Sequence, residues 1–212
     1  MSRRGQAARP RGTYAPIGDW FGLLDQRPIL VAVAGPNGAG KTTFYHAHLQ
    51  PAGLRLLNAD ELARELDLEA HEAAQVLTRM RMELVRLKES FAFETVFSDP
   101  VGDKVSSLKA AAQSGYTVVL CFIGLSSPAV SEQRVAMRVA QGGHDVPSDK
   151  LLARFPRTLA NLKTAMRELS HVLVFDNDDL RRPFRRVAIV EAGRVVWSAK
   201  PLPCWLKDAL PM

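Results

Sequence analysis

Residues 35–42 read Gly35-Pro36-Asn37-Gly38-Ala39-Gly40-Lys41-Thr42 and follow directly on the apolar run Ile29-Leu30-Val31-Ala32-Val33-Ala34. A G-x-x-x-x-G-K-[ST] turn between a buried strand and a helix admits few folds. It must aim successive backbone N–H groups and the positive end of a helix at one point in space. Such a point holds phosphate oxygens, so Gly35, Pro36, Asn37, Gly38, Ala39, Gly40, Lys41, Thr42 and Thr43 are expected to bind the phosphates of a nucleotide such as ATP. Lys41 would reach the β- and γ-phosphates, and the Thr42 hydroxyl would hold Mg²⁺. Gly35 is expected to end the strand, Gly38 to take a left-handed turn, and Gly40 to allow close backbone approach.

The rest of the chain alternates in the same way. Strand-like runs at Arg55–Leu57, Phe91–Glu94, Thr117–Ile123 and Val172–Phe175 are each preceded or followed by helical spacing, with helices expected from Lys41, Asp60, Val101 and Pro128. That order predicts an α/β fold, a parallel sheet flanked by helices. Between Leu68 and Lys88, apolar residues at Ala73, Val76, Leu77, Met80, Leu84 and Leu87 fall at three- and four-residue intervals. This predicts a long amphipathic helix whose methionines pack on the core and whose Arg79, Arg81, Arg86 and Lys88 lie elsewhere. Two strand-like arms around Glu191-Ala192-Gly193 predict a C-terminal β-hairpin.

A length of 212 residues suits one domain, expected over 19–212. The net charge of +6 reads at first as a nucleic-acid signal. Arg3, Arg4, Arg9 and Arg11 precede the first acid, Asp19, leaving an excess of only about two for the body. Residues 1–18 therefore read as a disordered basic arm, and nucleic acid is not the expected partner. No apolar run approaches the roughly 20 residues of a membrane helix, and no secretory signal is legible. With two cysteines, one inside a strand-like run, a reducing cytoplasm is expected.

Ligands of open α/β sheets bind outside the carboxyl ends of the strands, which makes residues at those ends candidates. Asp60 follows the second strand and either receives the proton of an acceptor hydroxyl or caps the helix that begins there. Glu94 and Thr95 end the third strand, where Glu94 could bind a substrate hydroxyl, support Asp60 or hold a water on Mg²⁺. Asp176 and Asn177 end the fifth, and adenine recognition is expected near Arg181 and Arg182. Between 134 and 157, two basic helical stretches surround the turn Gly142-Gly143-His144-Asp145-Val146-Pro147. Arg138 and Arg154 could fold from it over a triphosphate as a lid, with Arg134 and Arg157 nearby. His144 reads as a turn or substrate contact.

Together the phosphate loop, Asn58-Ala59-Asp60-Glu61, Ser90-Phe91-Ala92-Phe93-Glu94-Thr95-Val96-Phe97-Ser98, Arg138-Val139-Ala140-Gln141-Gly142-Gly143-His144-Asp145-Val146-Pro147, and Arg154-Phe155-Pro156-Arg157 with Leu159-Ala160-Asn161-Leu162 resemble the zeta-toxin family of P-loop kinases. That family is similar to chloramphenicol phosphotransferase. The resemblance implies an ATP- and Mg²⁺-dependent kinase acting on the 3′-hydroxyl of UDP-N-acetylglucosamine or a related UDP-amino sugar. It implies Lys41, Asp60, Arg138 and Arg154 as catalytic residues, Asp60 being the base, and Glu94, Thr95 and Arg157 on the acceptor side. A separately encoded antitoxin is the implied partner. Val96 departs from the pattern, which commonly has a second threonine there. Two other functions are compatible with the motifs: a polynucleotide 5′-hydroxyl kinase, and a nucleotide-dependent interaction module without an acceptor.

Overall fold

The computed structural model describes residues 20–143 and 145–211; the arm over 1–18 and His144 lie outside the described residues. Strand β1 (Ile29–Ala34) is buried along its whole length, as an unbroken apolar run must be when helices cover both faces of a sheet. It pairs in parallel with β3 (Phe91–Thr95), Ala34 opposite Thr95, and with β4 (Thr117–Gly124), Ala34 opposite Phe122. β2 (Arg55–Leu57) adds in parallel outside β3, and β5 (His171–Asp176) outside β4. β6 (Arg185–Glu191) and β7 (Arg194–Ser198) then extend the sheet as an antiparallel hairpin, giving the order β2-β3-β1-β4-β5-β6-β7. The hairpin turn places Ala192 (φ 46°) and Gly193 (φ 81°) in the left-handed region, the backbone that matches strand twist in a tight turn.

Alternate side chains of β1 feed two apolar layers. Leu30, Ala32 and Ala34 join Phe91, Phe122 and Leu162 on one face, while Ile29, Val31 and Val33 join Phe44, Leu125 and Phe175 on the other. The helices over these faces are α1 (Trp20–Leu23), α2 (Lys41–Phe44), α3 (Ala59–Leu66), α4 (Ala70–Arg86), α5 (Asp103–Gln113), α6 (Pro128–Ala140), α7 (Ser148–Glu168) and α8 (Cys204–Lys207). None among the described residues is long and apolar enough to cross a membrane.

Three details depart from the sequence reading. The helix after the phosphate loop keeps α geometry only to Phe44, then widens to a π turn over Tyr45–Leu49 and ends in a 3-10 turn over Gln50–Ala52. The wide turn buries Tyr45, whose hydroxyl donates to Leu54 O at 2.7 Å, and Pro51 has no N–H with which to continue the helix. Helix α5 starts at Asp103 rather than Val101, because Gly102 (φ 75°) takes the left-handed turn before it and leaves Val101 exposed. On α4, Ala73 and Leu77 are buried and Met80 and Leu84 pack on the core, but Met82 is 70% exposed and does not join it.

The C-terminal segment returns to the sheet through Trp205. Its indole N–H donates to Asp176 Oδ1 at 3.0 Å, and its ring lies where a Cβ on Gly124 would stand, 2.1 Å from the ring carbon Cη2. The ring also approaches Phe122 of the core, centroid to centroid 6.2 Å. Replacing Trp205 with Ala leaves Asp176 Oδ1 without that donor and opens a cavity over Gly124, and is expected to cost about 3 kcal/mol. Urea denaturation measures this; a change below about 1 kcal/mol, within the range of surface substitutions, would show that the segment does not anchor the sheet.

Candidate active site

The phosphate loop leaves β1 against β4 so closely that only glycine fits at its start. A Cβ on Gly35 (φ 147°) would lie 2.1 Å from Ile123 O. At the loop's end, Gly40 (φ 86°) lies under Asn177, whose Nδ2 would be 2.9 Å from an added Cβ. Asn177 is buried beyond the end of β5, donates from Nδ2 to Ala39 O at 2.8 Å, and accepts from Phe184 N at 3.1 Å. One side chain therefore ties the loop to β5 and to the segment leading into β6. Ser131 on α6 adds a second tie, donating to Asn37 O at 2.6 Å. The loop is held from both sides, and Ala39 N closes it on itself by donating to Pro36 O at 3.2 Å.

Lys41 folds across this loop, its Nζ donating to Gly35 O (3.2 Å) and Pro36 O (3.1 Å). The Thr42 hydroxyl donates to Glu94 Oε2 at 3.2 Å. Parallel pairing brings these two residues together, since β1 and β3 run in register and the loop continues from the end of β1 beside Glu94. A hydroxyl and a carboxylate are hard oxygen donors of the kind Mg²⁺ takes, and Mg²⁺ keeps waters and phosphate oxygens for its remaining positions. No group of three or more His, Cys, Asp or Glu side chains able to hold a metal occurs among the described residues.

Both residues line a cleft of about 760 Å³ at the carboxyl ends of the strands. Its walls include Asn37, Gly38, Gly40, Lys41, Thr42 and Thr43 of the loop, Asn58 and Ala59 after β2, and Glu94, Thr95 and Val96 at the end of β3. Arg134 and Arg138 of α6 and Arg154 and Arg157 of α7 complete it. Arg138 and Arg154, expected of the lid, and Arg134 and Arg157 near them thus line the same cleft as the phosphate loop. Arg134 is further fixed by donating from Nη2 to Asp178 O at 2.8 Å, and burial pulls its pKa below the usual guanidinium value. Helix α6 begins as its sequence suggests, with Ser127 Oγ accepting from Val130 N at 3.3 Å and Pro128 in the first turn.

Asp60 is the second residue of α3, at the carboxyl end of β2, and its side chain lies outside what the structure describes. The capping position falls to Asn58, whose carbonyl accepts from Leu62 N at 3.1 Å, so Asp60 is not the residue that starts the helix. Thr95 is engaged locally, its Oγ1 accepting from Phe97 N at 3.0 Å. Arg181 does not line the cleft: it pairs with Asp179 (Nε–Oδ1 3.0 Å) and its side chain is 90% exposed.

Three features were not read from the sequence. Asn177 was placed at a strand end without its tie to the loop. Helix α7 grips the segment after β3: Thr158 Oγ1 donates to Val96 O (2.9 Å), and Asn161 Nδ2 donates to Phe97 O (3.0 Å) and Asp99 O (2.9 Å). Arg154, Thr158 and Asn161 follow at four- and three-residue steps, so one face of α7 bears both a lid arginine and the grip on the opposite wall. Arg81 and Lys104 also line the cleft. Their signal was in the spacing: Arg81 stands four residues after Leu77 and three before Leu84, and Lys104 four before Leu108, each in line with inward-facing positions.

Comparison with known proteins places these features in context. A family model described as an AAA domain matches residues 30–164. No curated protein matches the chain. Among solved structures, the complex of AvrRxo1-ORF1 and AvrRxo1-ORF2 with ATP is similar at a TM-score of 0.60 and 18% identity, covering 89% of this chain and 65% of that one. The chain thus spans just under two thirds of the length of that relative. The PezAT toxin-antitoxin system of Streptococcus pneumoniae is similar at 0.53 and 14% identity, covering 88% and 78%. A candidate kinase from Chloroflexus aurantiacus J-10-fl is similar at 0.53 and 21% identity, covering 74% and 90%.

Proposed function

The chain belongs to the AAA-domain family and has a kinase-like P-loop fold, and from that premise we propose that it is a phosphotransferase moving the γ-phosphoryl group of ATP to a small-molecule hydroxyl. The observation that carries this reading is the junction of Thr42 with Glu94 inside a cleft whose opposite wall bears the lid arginines. A site for nucleotide binding alone needs the loop; it does not need a cleft that continues past it to the ends of β2 and β3. Bound MgATP supplies the transferable group and the divalent charge that helps neutralise it.

The chain's own residues do the rest. Lys41 and the loop N–H groups fix the phosphates, and Thr42 and Glu94, already joined by their hydrogen bond, are the residues that would hold Mg²⁺ when it is bound. Arg138 and Arg154 lie across the cleft where charge builds during transfer, and with Arg157 they exclude water. Asp60, at the mouth of β2, receives the hydroxyl proton as the new P–O bond forms and the bond to the ADP oxygen breaks. The acceptor we favour is the 3′-hydroxyl of UDP-N-acetylglucosamine or a related UDP-amino sugar, supported by the likeness of the Phe91–Ser98 and Arg138–Pro147 segments to the zeta-toxin pattern. Solved neighbours that are two-protein complexes support a separately encoded partner, antitoxin-like in kind.

The test is incubation of the protein with γ-labelled ATP, Mg²⁺ and a panel comprising UDP-N-acetylglucosamine, neutral sugars and a 5′-hydroxyl oligonucleotide. Label appearing in a small hydroxyl compound supports the kinase; label in the oligonucleotide alone, or in none of them, overturns it. Glu94→Gln keeps the shape but weakens the hold on Thr42, and is expected to lower kcat by about 10- to 100-fold, in the range of lost outer-shell contacts at metal sites. Unchanged kcat in that variant would remove Glu94 from the machinery.

A further inference from the structure

The cleft draws its cations from different elements. Lys41 of the loop, Arg134 and Arg138 of α6, and Arg154 and Arg157 of α7 line it together. The transferring phosphates and the lid of the kinase reading account for these. Arg81 and Lys104 come from α4 and α5 instead. Arg81 projects from α4 with its guanidinium over the Phe93 ring, 4.8 Å from the centroid, and its Nη2 donates to Thr78 Oγ1 at 3.1 Å. Phe93 stands in β3 between Leu57 of β2 and Ala32 of β1. Lys104 stands in the first turn of α5, just beyond the Ser98-Asp99-Pro100 segment that also lines the cleft.

Both cations are half-buried, and neither forms an ion pair among the described residues, whose pairs involve Glu83, Glu168, Asp179 and Asp176. Asp103 directly precedes Lys104, and Asp99, five residues before it, is held by other donors: Asn161 Nδ2 reaches its Oδ1 at 3.3 Å, and Lys104 N reaches its Oδ2 at 3.3 Å. Burial lowers the pKa of both Arg81 and Lys104, and the charge of Arg81 lowers that of Lys104 further, against a smaller upward pull from Asp99 and Asp103. Two like charges drawn together out of water oppose folding unless something else answers them.

We propose that Arg81 and Lys104 form the acceptor's anion subsite, so that the molecule phosphorylated here carries, besides its hydroxyl, a phosphate or carboxylate group that these two side chains hold. This inference rests on the kinase reading and deepens it by fixing the acceptor's chemical class. The Phe93 face beneath Arg81 keeps the guanidinium pointed along the wall, and a planar fork so held matches two oxygens of one group. The α7 grip on residues 96–99 holds the Lys104 side of the subsite to the helix that bears Arg154 and Arg157.

The test compares the parent with R81Q/K104Q and with the charge-keeping R81K/K104R. Substrates are UDP-N-acetylglucosamine, gluconate and uncharged N-acetylglucosamine, with labelled ATP. The expected result is transfer to an anionic acceptor only, phosphate-bearing or carboxylate-bearing according to which of the first two is used. R81Q/K104Q should raise KM for that acceptor at least 30-fold with kcat within about threefold and KM for ATP unchanged, and R81K/K104R should recover much of the loss. Transfer to N-acetylglucosamine alone, or an unaltered acceptor KM in R81Q/K104Q, overturns the subsite.

A second readout keeps the two readings apart. Binding of UDP or gluconate is measured by calorimetry with a non-hydrolysable ATP analogue filling the loop. Binding that disappears in R81Q/K104Q, without transfer in the parent, preserves the subsite while the kinase reading fails. No binding of either anion to the parent overturns the subsite. As an independent check, K104Q alone is expected to raise the melting temperature of the ligand-free protein by roughly 1–3 °C, since it removes a half-buried charge that Arg81 repels. A lowered melting temperature would show that Lys104 is instead a structural cation.

Discussion

Asp60→Asn is expected to bind ATP as the parent does and to lose about 10³-fold in kcat for phosphoryl transfer, the middle of the range for a general base. Residue 60 sits at the second position of α3, where β2 delivers the chain to the mouth of the cleft between Asn58 and Ala59 on its lining and the Glu94 end of β3. Asparagine retains size and hydrogen-bonding capacity but cannot take up the acceptor's proton. The informative measurement is single-turnover transfer together with nucleotide affinity. A variant that turns over at the parental rate would show that the proton leaves by another route, and one that loses ATP affinity would assign Asp60 to the nucleotide instead.

Lys41→Ala should act differently, weakening ATP binding and lowering kcat together, with kcat/KM falling by about 10²- to 10³-fold. Its ammonium spans the loop between Gly35 O and Pro36 O, and the same charge serves phosphate in the ground state and in transfer. Lys41→Arg should not rescue it, because a planar fork cannot take the place of a point charge against two converging carbonyls. A fall in kcat with unchanged ATP affinity would limit Lys41 to the transition state. Read beside Asp60→Asn, the pair separates binding from chemistry.

Much of the architecture was legible because its signals are local. The apolar run of β1 and the glycines after it specify strand, loop and helix within 16 residues, and the Leu77/Leu84 spacing specifies α4. The strand-end rule then led to Glu94, which does meet Thr42 in the structure. What escaped was non-local. The π turn after Phe44 depends on the Tyr45 hydroxyl reaching Leu54 O, and the tie from Asn177 to Ala39 spans 138 residues. Arg81 and Lys104 escaped for another reason: a basic residue on an amphipathic helix is ordinarily solvated, and only its alignment with Leu77 and Leu84 argued that it turns inward.

The clamp that Asn177 and Ser131 place on the phosphate loop bears on how a nucleotide arrives. A cradle already locked before its guest appears has little conformational freedom left to surrender, so capture need not wait for the loop to rearrange and its entropic penalty is small. Since Ser131 belongs to α6, that helix shares the lock, and any motion that accompanies turnover falls to α7 instead. Because α7 also grips residues 96–99, Arg154 and Arg157 are tied to the acceptor wall, so a change at one is expected to reach the other.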